Sequence, residues 1–166
     1  MRRNTLGRCR RKSCHVFTLG TLDLFFSHQW LGWSEPDPER LHIAAMQQAV
    51  RNVHLYSRKE TPLEKIRVWV DYVSIPQKNR SVQKLAIASL PTFASCCDYF
   101  VVVAPDATHQ NTGCACNSQS YRLRAWCRAE IMSCWARNGT KDMYYNTNEA
   151  LKPLVVRARR LARRMG

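Results

Sequence analysis

The sequence predicts an α/β fold built on a parallel sheet of four to five strands, with helices on both faces. Short apolar runs of strand length, Leu22 to Ser27, Ile66 to Val70 and Tyr99 to Ala104, alternate with segments of helical period. The run Tyr99 to Ala104 (YFVVVA) is continuously aromatic and β-branched, which suits a central strand buried on both faces. The 166 residues, 45 % of them hydrophobic, make one domain's worth of chain with a packed core, and so exclude wholesale disorder, collagen-like repetition and low-complexity assembly.

The first strand is LDLFFS, Leu22 to Ser27, and a polar and aromatic cluster follows it: His28, Gln29, Trp30 and Trp33. Asp37 and Pro38 then read as an N-cap acid and a first-turn proline, with Ile43, Met46, Val50 and Val53 recurring at spacings of three and four on one helix face. The second strand, IRVWV, is closed by Asp71 and a loop containing Pro76, Gln77 and Asn79. Val82, Leu85, Ser89, Leu90 and Phe93 predict a second helix, bent or stopped near Pro91 because proline lacks the N–H of the helix interior. After the third strand, Pro105 to Ser120 reads as loop and Tyr121 to Arg137 as helix. Met143 to Tyr145 suggests a short fourth strand, and Leu151 to Met165 a last helix that is apolar on one side and arginine-rich on the other.

The net charge of +14 resides mainly at the ends. Residues 1–22 carry six basic and no acidic side chains, residues 149–166 six basic and one acidic, and residues 23–148 are near balance at 14 against 11. The chain therefore divides into a basic tail over residues 1–20 and a domain over 21–166 that ends in the arginine-rich helix. Arginine-rich ends could meet nucleic acid or an anionic membrane, but a last helix covering the apolar face of the sheet is the reading preferred here. Eight cysteines in a chain of this size, with no mark of export, are expected as reduced thiols, and their spacings lack the paired CxxC of a structural zinc site, so no metal is expected. No apolar run reaches the roughly 20 residues of a membrane span. The expected compartment is the cytoplasm, with organelle targeting by the arginine-rich start as the alternative.

In open parallel sheets ligands bind beyond the carboxyl ends of the strands. Ser27, His28, Gln29 and Trp30 fall there after the first strand, Asp71 and Tyr72 after the second, Pro105 and Asp106 after the third. Three segments of this framework together resemble one family. DLFFSHQW (Asp23 to Trp30) is similar to the first box of Toll/interleukin-1 receptor (TIR) domains. VWVDYVSIPQ (Val68 to Gln77) resembles their second strand and following loop. CDYFVVVAP (Cys97 to Pro105), followed by SYRLRAWCRAEI (Ser120 to Ile131), resembles the third strand and the helix bearing a Trp-Cys-x-x-Glu signature. The order and spacing agree over about 110 residues. WVDYVSIPQ is also similar to heterokaryon-incompatibility (HET) domains, so the chain reads as a divergent TIR-like domain.

The resemblance implies a flavodoxin-like three-layer sandwich and a role in defence or signalling. It also implies an NAD glycohydrolase that cleaves the nicotinamide-ribose bond with Glu130 as the catalytic carboxylate, NAD being substrate rather than cofactor. Breaking this bond develops positive charge on the ribose and releases neutral nicotinamide, so one carboxylate beside the sugar suffices. Ser27, His28, Trp30, Asp71, Trp126 and Cys127 are the residues expected around the substrate. For each a plainer reading stands: Ser27, His28 and Trp30 as strand-end packing, Asp71 as a loop cap, Trp126 and Cys127 as core, and Glu130 as a surface acid among the arginines of its helix. The alternative function is a non-enzymatic module that signals by homotypic assembly, with Val73 to Asn79 as its contact surface. Self-association is implied in either case.

Overall fold

In the computed structural model, which describes residues 21–57, 61–146 and 151–154, the chain begins with β1 (Leu22–His28), every residue of which is buried. Its side chains alternate between the two faces of the sheet. Leu22, Leu24 and Phe26 point to α1 (Leu41–Tyr56), together with Val101 and Val103, while Phe25 joins Phe100 and Val102 on the opposite face. β2 (Ile66–Val70) and β3 (Tyr99–Val103) pair parallel with β1 on either side. β6 (Met143–Asn146) pairs parallel with β3.

Two further strands, β4 (Ala107–Thr108) and β5 (Ala115–Cys116), form a separate antiparallel hairpin. The main sheet closes with β7 (Leu151–Pro153), and its strand order is β2-β1-β3-β6-β7. The YFVV run thus lies at the middle of the sheet. β7, however, pairs antiparallel with β6, so the sheet is mixed rather than all-parallel.

The helices α3 (Arg80–Cys96) and α5 (Ala125–Asn138) pack together on the Phe25 face, and α1 covers the other. A single turn, α2 (Asp71–Ser74), occupies the start of the expected loop after β2, and α4 (Ser118–Leu123) the end of the expected loop after the hairpin. Among the described residues no helix is long and apolar enough to cross a membrane. The basic tail over residues 1–20 and residues 155–166 of the expected last helix lie outside the described residues, as do Cys9 and Cys14.

Several expectations are corrected. The last helix was expected from Leu151, but Leu151–Pro153 is strand, because the open edge of β6 offers backbone partners that an isolated helical turn cannot match. α1 starts at Leu41 rather than Pro38: residues 37–40 form a turn, Arg40 is left-handed at φ 58°, and the Asp37 carboxylate reaches forward to accept from the N–H groups of His42 and Ile43. That start turns Ile43 outward and puts His42, Ala45, Met46, Ala49 and Val53 against the sheet. α3 is not stopped at Pro91 but runs through it. Pro91 lies on an exposed side, where the carbonyl that loses its donor can be hydrated. Leu85 and Val82, expected to be buried, are exposed, and Leu90 and Ala94 make the contact. The helix expected over Tyr121 to Arg137 is broken at Arg124, whose extended backbone ends α4 and begins α5.

Candidate active site

Adjacent residues on a strand face opposite ways, and at the carboxyl end of β1 this sends two chemically different groups to the two faces of the sheet. Ser27, in phase with Phe25, turns toward α4 and α5. Its hydroxyl lies 2.6 Å from the Tyr121 hydroxyl and donates to Glu130 Oε2. Glu130 is 3 % exposed, which overturns the reading of a surface acid paired with arginine. Its buried neighbours on this face of the helix are the thiols of Cys127 and Cys134, and the carboxyl is held by the Ser27 hydroxyl. Burial pushes its pKa up to about 8, with the Ser27 hydrogen bond opposing and the charge of Asp71 adding to the rise.

His28 turns the other way. Its Nε2 lies 2.8 Å from Asp71 Oδ1, and its Nδ1 lies 3.3 Å from Nδ1 of His42. Trp30 Nε1 donates to Asp71 Oδ2 at 2.8 Å, and the Tyr72 backbone N–H donates to Oδ1 at 2.6 Å. Burial alone would raise the Asp71 pKa, but these donors outweigh it and hold the carboxylate below its ordinary value. His42 is neutral at physiological pH, since burial and the neighbouring His28 pull it down to about 4. A coherent set of tautomers follows: His42 Nδ1–H donates to His28 Nδ1, and His28 Nε2–H donates to Asp71. It leaves the buried His42 Nε2, which has no partner among the described residues, as a bare lone pair rather than an orphaned N–H.

Ser27 and His28, adjacent in the chain, therefore enter two separate hydrogen-bond networks. The serine bonds Glu130 and the histidine bonds Asp71, on opposite sides of one strand.

Beside these groups a cleft of about 180 Å³ is lined by Trp30, Asp71, Ile75, Gln77, Gln83, Ile87 and Trp126. Trp126, 47 % exposed, stands one turn before Glu130 on α5 and is not a core residue. Trp30 meets Tyr72 edge to face at 5.7 Å. Cys127 is buried, with its sulfur 3.8 Å from the His28 carbonyl, and burial lifts its thiol to about 12, which removes it as a nucleophile near neutrality.

The loop between β1 and α1 is clamped by the small hairpin. Gln110 N–H donates to the Leu31 carbonyl and the Trp33 N–H to Asn111 Oδ1. Gly32 is required where this loop folds back, since a Cβ there would stand 2.8 Å from the Glu35 carbonyl oxygen. Gln29 is buried and exchanges hydrogen bonds with Ser120, whose hydroxyl also accepts from the Asn117 N–H in a capping box at the start of α4.

Of the expected site residues, Trp30, Asp71 and Trp126 line the cleft, His28 supports Asp71, and Ser27 and Glu130 form a buried pair behind the strand end. Tyr121 and His42 escape the sequence reading. Tyr121 belongs to no spacing pattern with Ser27, which is 94 positions away. His42 looks like any polar residue of a first helical turn. Among the described residues no group of three or more His, Cys, Asp or Glu could hold a metal ion. Comparison with protein-family models, curated proteins and solved structures finds no match.

Proposed function

We propose that this chain is a divergent TIR-like domain of flavodoxin-like architecture that hydrolyses the nicotinamide-ribose bond of NAD, acting in the cytoplasm in a defence or signalling role. The observation that carries the reading is the state of Glu130: a buried carboxyl held by the hydroxyl of the serine near the end of β1, one helical turn from Trp126, which with Trp30 lines the cleft. Carboxyl groups whose pKa is displaced this far by burial cluster at catalytic sites.

In the reaction the C1′–N bond breaks with its electron pair going to nicotinamide, which leaves neutral, and positive charge spreads over the ribose. Glu130, once ionised, stabilises that charge, and water completes the hydrolysis at C1′. Ser27 holds the carboxylate, and the indoles of Trp30 and Trp126 stack on the flat nicotinamide ring. Asp71, fixed by three donors, faces the ribose hydroxyls as an acceptor. The cleft is smaller than the roughly 300–1,000 Å³ of sites that enclose a whole ligand. It suits the nicotinamide end of NAD, with a second copy of the domain completing the remainder, as the self-association of similar domains implies.

A second reading is favoured by one observation. Tyr72, Val73, Val82 and Leu85, around α2 and the start of α3, are exposed apolar groups, and Val73 is 76 % exposed. Such a surface suits a homotypic assembly module.

Purified protein at high concentration, incubated with NAD while nicotinamide release is followed, separates the two. Release that is lost in Glu130→Ala and Glu130→Gln supports the enzyme. Its rate should rise with pH through about 8, as Glu130 gives up its proton. Absence of release at every concentration and pH, from folded protein, leaves the assembly module.

A further inference from the structure

In a chain of net charge +14, the cleft beside Trp30 and Trp126 has the opposite character. Among the described residues that line it none is basic, and Asp71 is acidic. Trp30 and Trp126 give it aromatic walls, Ile75 and Ile87 apolar ones. Trp30 is pinned by the hydrogen bond from its Nε1 to Asp71 Oδ2 at 2.8 Å. That N–H lies in the plane of the indole, so the bond leaves the faces of the ring for other contacts. Trp126 is 47 % exposed, more than packing alone leaves on a ring of this size.

Asp71 brings charge to the cleft but little hydrogen-bonding capacity. A carboxylate has about four lone-pair sites, and three are taken: Oδ1 accepts from His28 Nε2 at 2.8 Å and from the Tyr72 N–H at 2.6 Å, and Oδ2 accepts from Trp30. The amides are largely committed as well. Gln77 Nε2 donates to the Tyr72 and Ile75 carbonyls, and its Oε1 accepts from Gln83 Nε2. A primary ammonium entering here gives up its hydrogen bonds to water and finds few acceptors in return. A cation without N–H gives up none, and both the carboxylate and the negative faces of the indoles attract it.

We propose that this cleft binds small quaternary ammonium compounds, of which choline is the simplest, with the trimethylammonium group between Trp30 and Trp126 and its charge toward Asp71. The methyl groups meet the indoles, Ile75 and Ile87, while His28 holds Asp71 in place without touching the ligand. A volume of about 180 Å³ accommodates such a head group but not a large ligand enclosed whole. The pyridinium ring of NAD is also a cation without N–H, so the site is compatible with NAD hydrolysis and does not rest on it.

The test is isothermal titration calorimetry of the full chain with three ligands: choline, dimethylbutanol as the uncharged isostere in which carbon replaces nitrogen, and ethanolamine as the primary ammonium. Choline should bind at least about tenfold more tightly than either of the others. Trp126→Ala, at an exposed position, should weaken choline about tenfold, and Trp126→Phe should recover part of the loss. Asp71→Asn keeps the shape of the carboxylate without its charge, and should weaken choline while leaving the isostere unchanged. If Asp71→Asn does not fold, the Trp126 variants and the three ligands decide the matter. The proposal is overturned if choline gives no heat of binding at tens of millimolar, if the isostere or ethanolamine matches it, or if Trp126→Ala or folded Asp71→Asn binds it as wild type does. Choline bound by a protein that releases no nicotinamide from NAD refutes the hydrolase alone, and release without choline binding refutes the cation site alone.

Discussion

Glu130 keeps in the folded protein a proton that the same side chain would lose in water. Its pKa is raised from 4.5 to about 8 by burial, so between those values the unfolded chain has released the proton and the native one has not. Native stability from this group is complete below pH 4.5 and declines as pH rises toward 8, by about 1.4 kcal/mol per pH unit in the limit. Glu130→Gln keeps an acceptor for Ser27 and cannot ionise. Urea denaturation should find it close to wild type near pH 5 and about 3–4 kcal/mol more stable at pH 8. Equal curves at both pH values would mean that Glu130 is ionised and solvated in the native state. Ser27 acts in the opposite direction, since its hydrogen bond lowers the Glu130 pKa. Ser27→Ala should therefore move the alkaline rise of nicotinamide release to higher pH, read from the pH profile of the rate. The residues of this pair were legible one at a time, as a serine ending a strand and an acid in a tryptophan-cysteine helix. Their meeting across 103 positions was not, nor was the burial that sets the protonation state.

Among the elements, α3 shows where local rules hold and where packing overrides them. Its start obeys a local rule: Asn79, read from the sequence only as a loop residue, caps the helix, its Oδ1 accepting from the N–H groups of Ser81 and Val82 at 3.1 Å each. Asn79→Ala should cost about 1 kcal/mol in chemical denaturation. Its middle departs from one. Pro91 predicts a bend or a stop, and the helix does not stop but continues to Cys96, because Leu90 and Ala94 on one side and α5 opposite hold the chain in register through the missing hydrogen bond. Pro91→Ala restores that bond at an exposed position and should stabilise the protein by about 1–3 kcal/mol, seen as a higher urea midpoint; a loss of stability would show that α3 needs the distortion proline imposes. The helix faces were misread for a related reason. Periodicity chose Ile43, Val82 and Leu85 as buried because they are apolar, whereas the structure buries the small Ala45, Ala49 and Ala94, which let a helix approach closely and which hydrophobicity ranks lower.

At the scale of the molecule, one ring joins the sheet to the α3 side of the core. Phe25 stacks on Trp69 of β2 at 4.3 Å and on Phe100 of β3 at 5.3 Å, spanning three strands. Phe25→Ala should destabilise by about 3–5 kcal/mol in urea denaturation, since three strands and two helices cannot all collapse onto the void. A loss under 1 kcal/mol would mean that this layer repacks. The sequence by itself determined the alternation of strand and helix, the central place of the YFVV run, the concentration of charge at the ends and the cluster of polar residues at the strand ends. These are properties of local composition and period, and they survive whatever the rest of the chain does. Only the tertiary structure decided that β7 runs antiparallel on the edge of β6, that Ser27 and His28 serve opposite faces and that Trp126 borders a cleft. Each of these depends on which distant segment is brought opposite, and a one-residue change of phase along a strand or helix exchanges a buried partner for solvent.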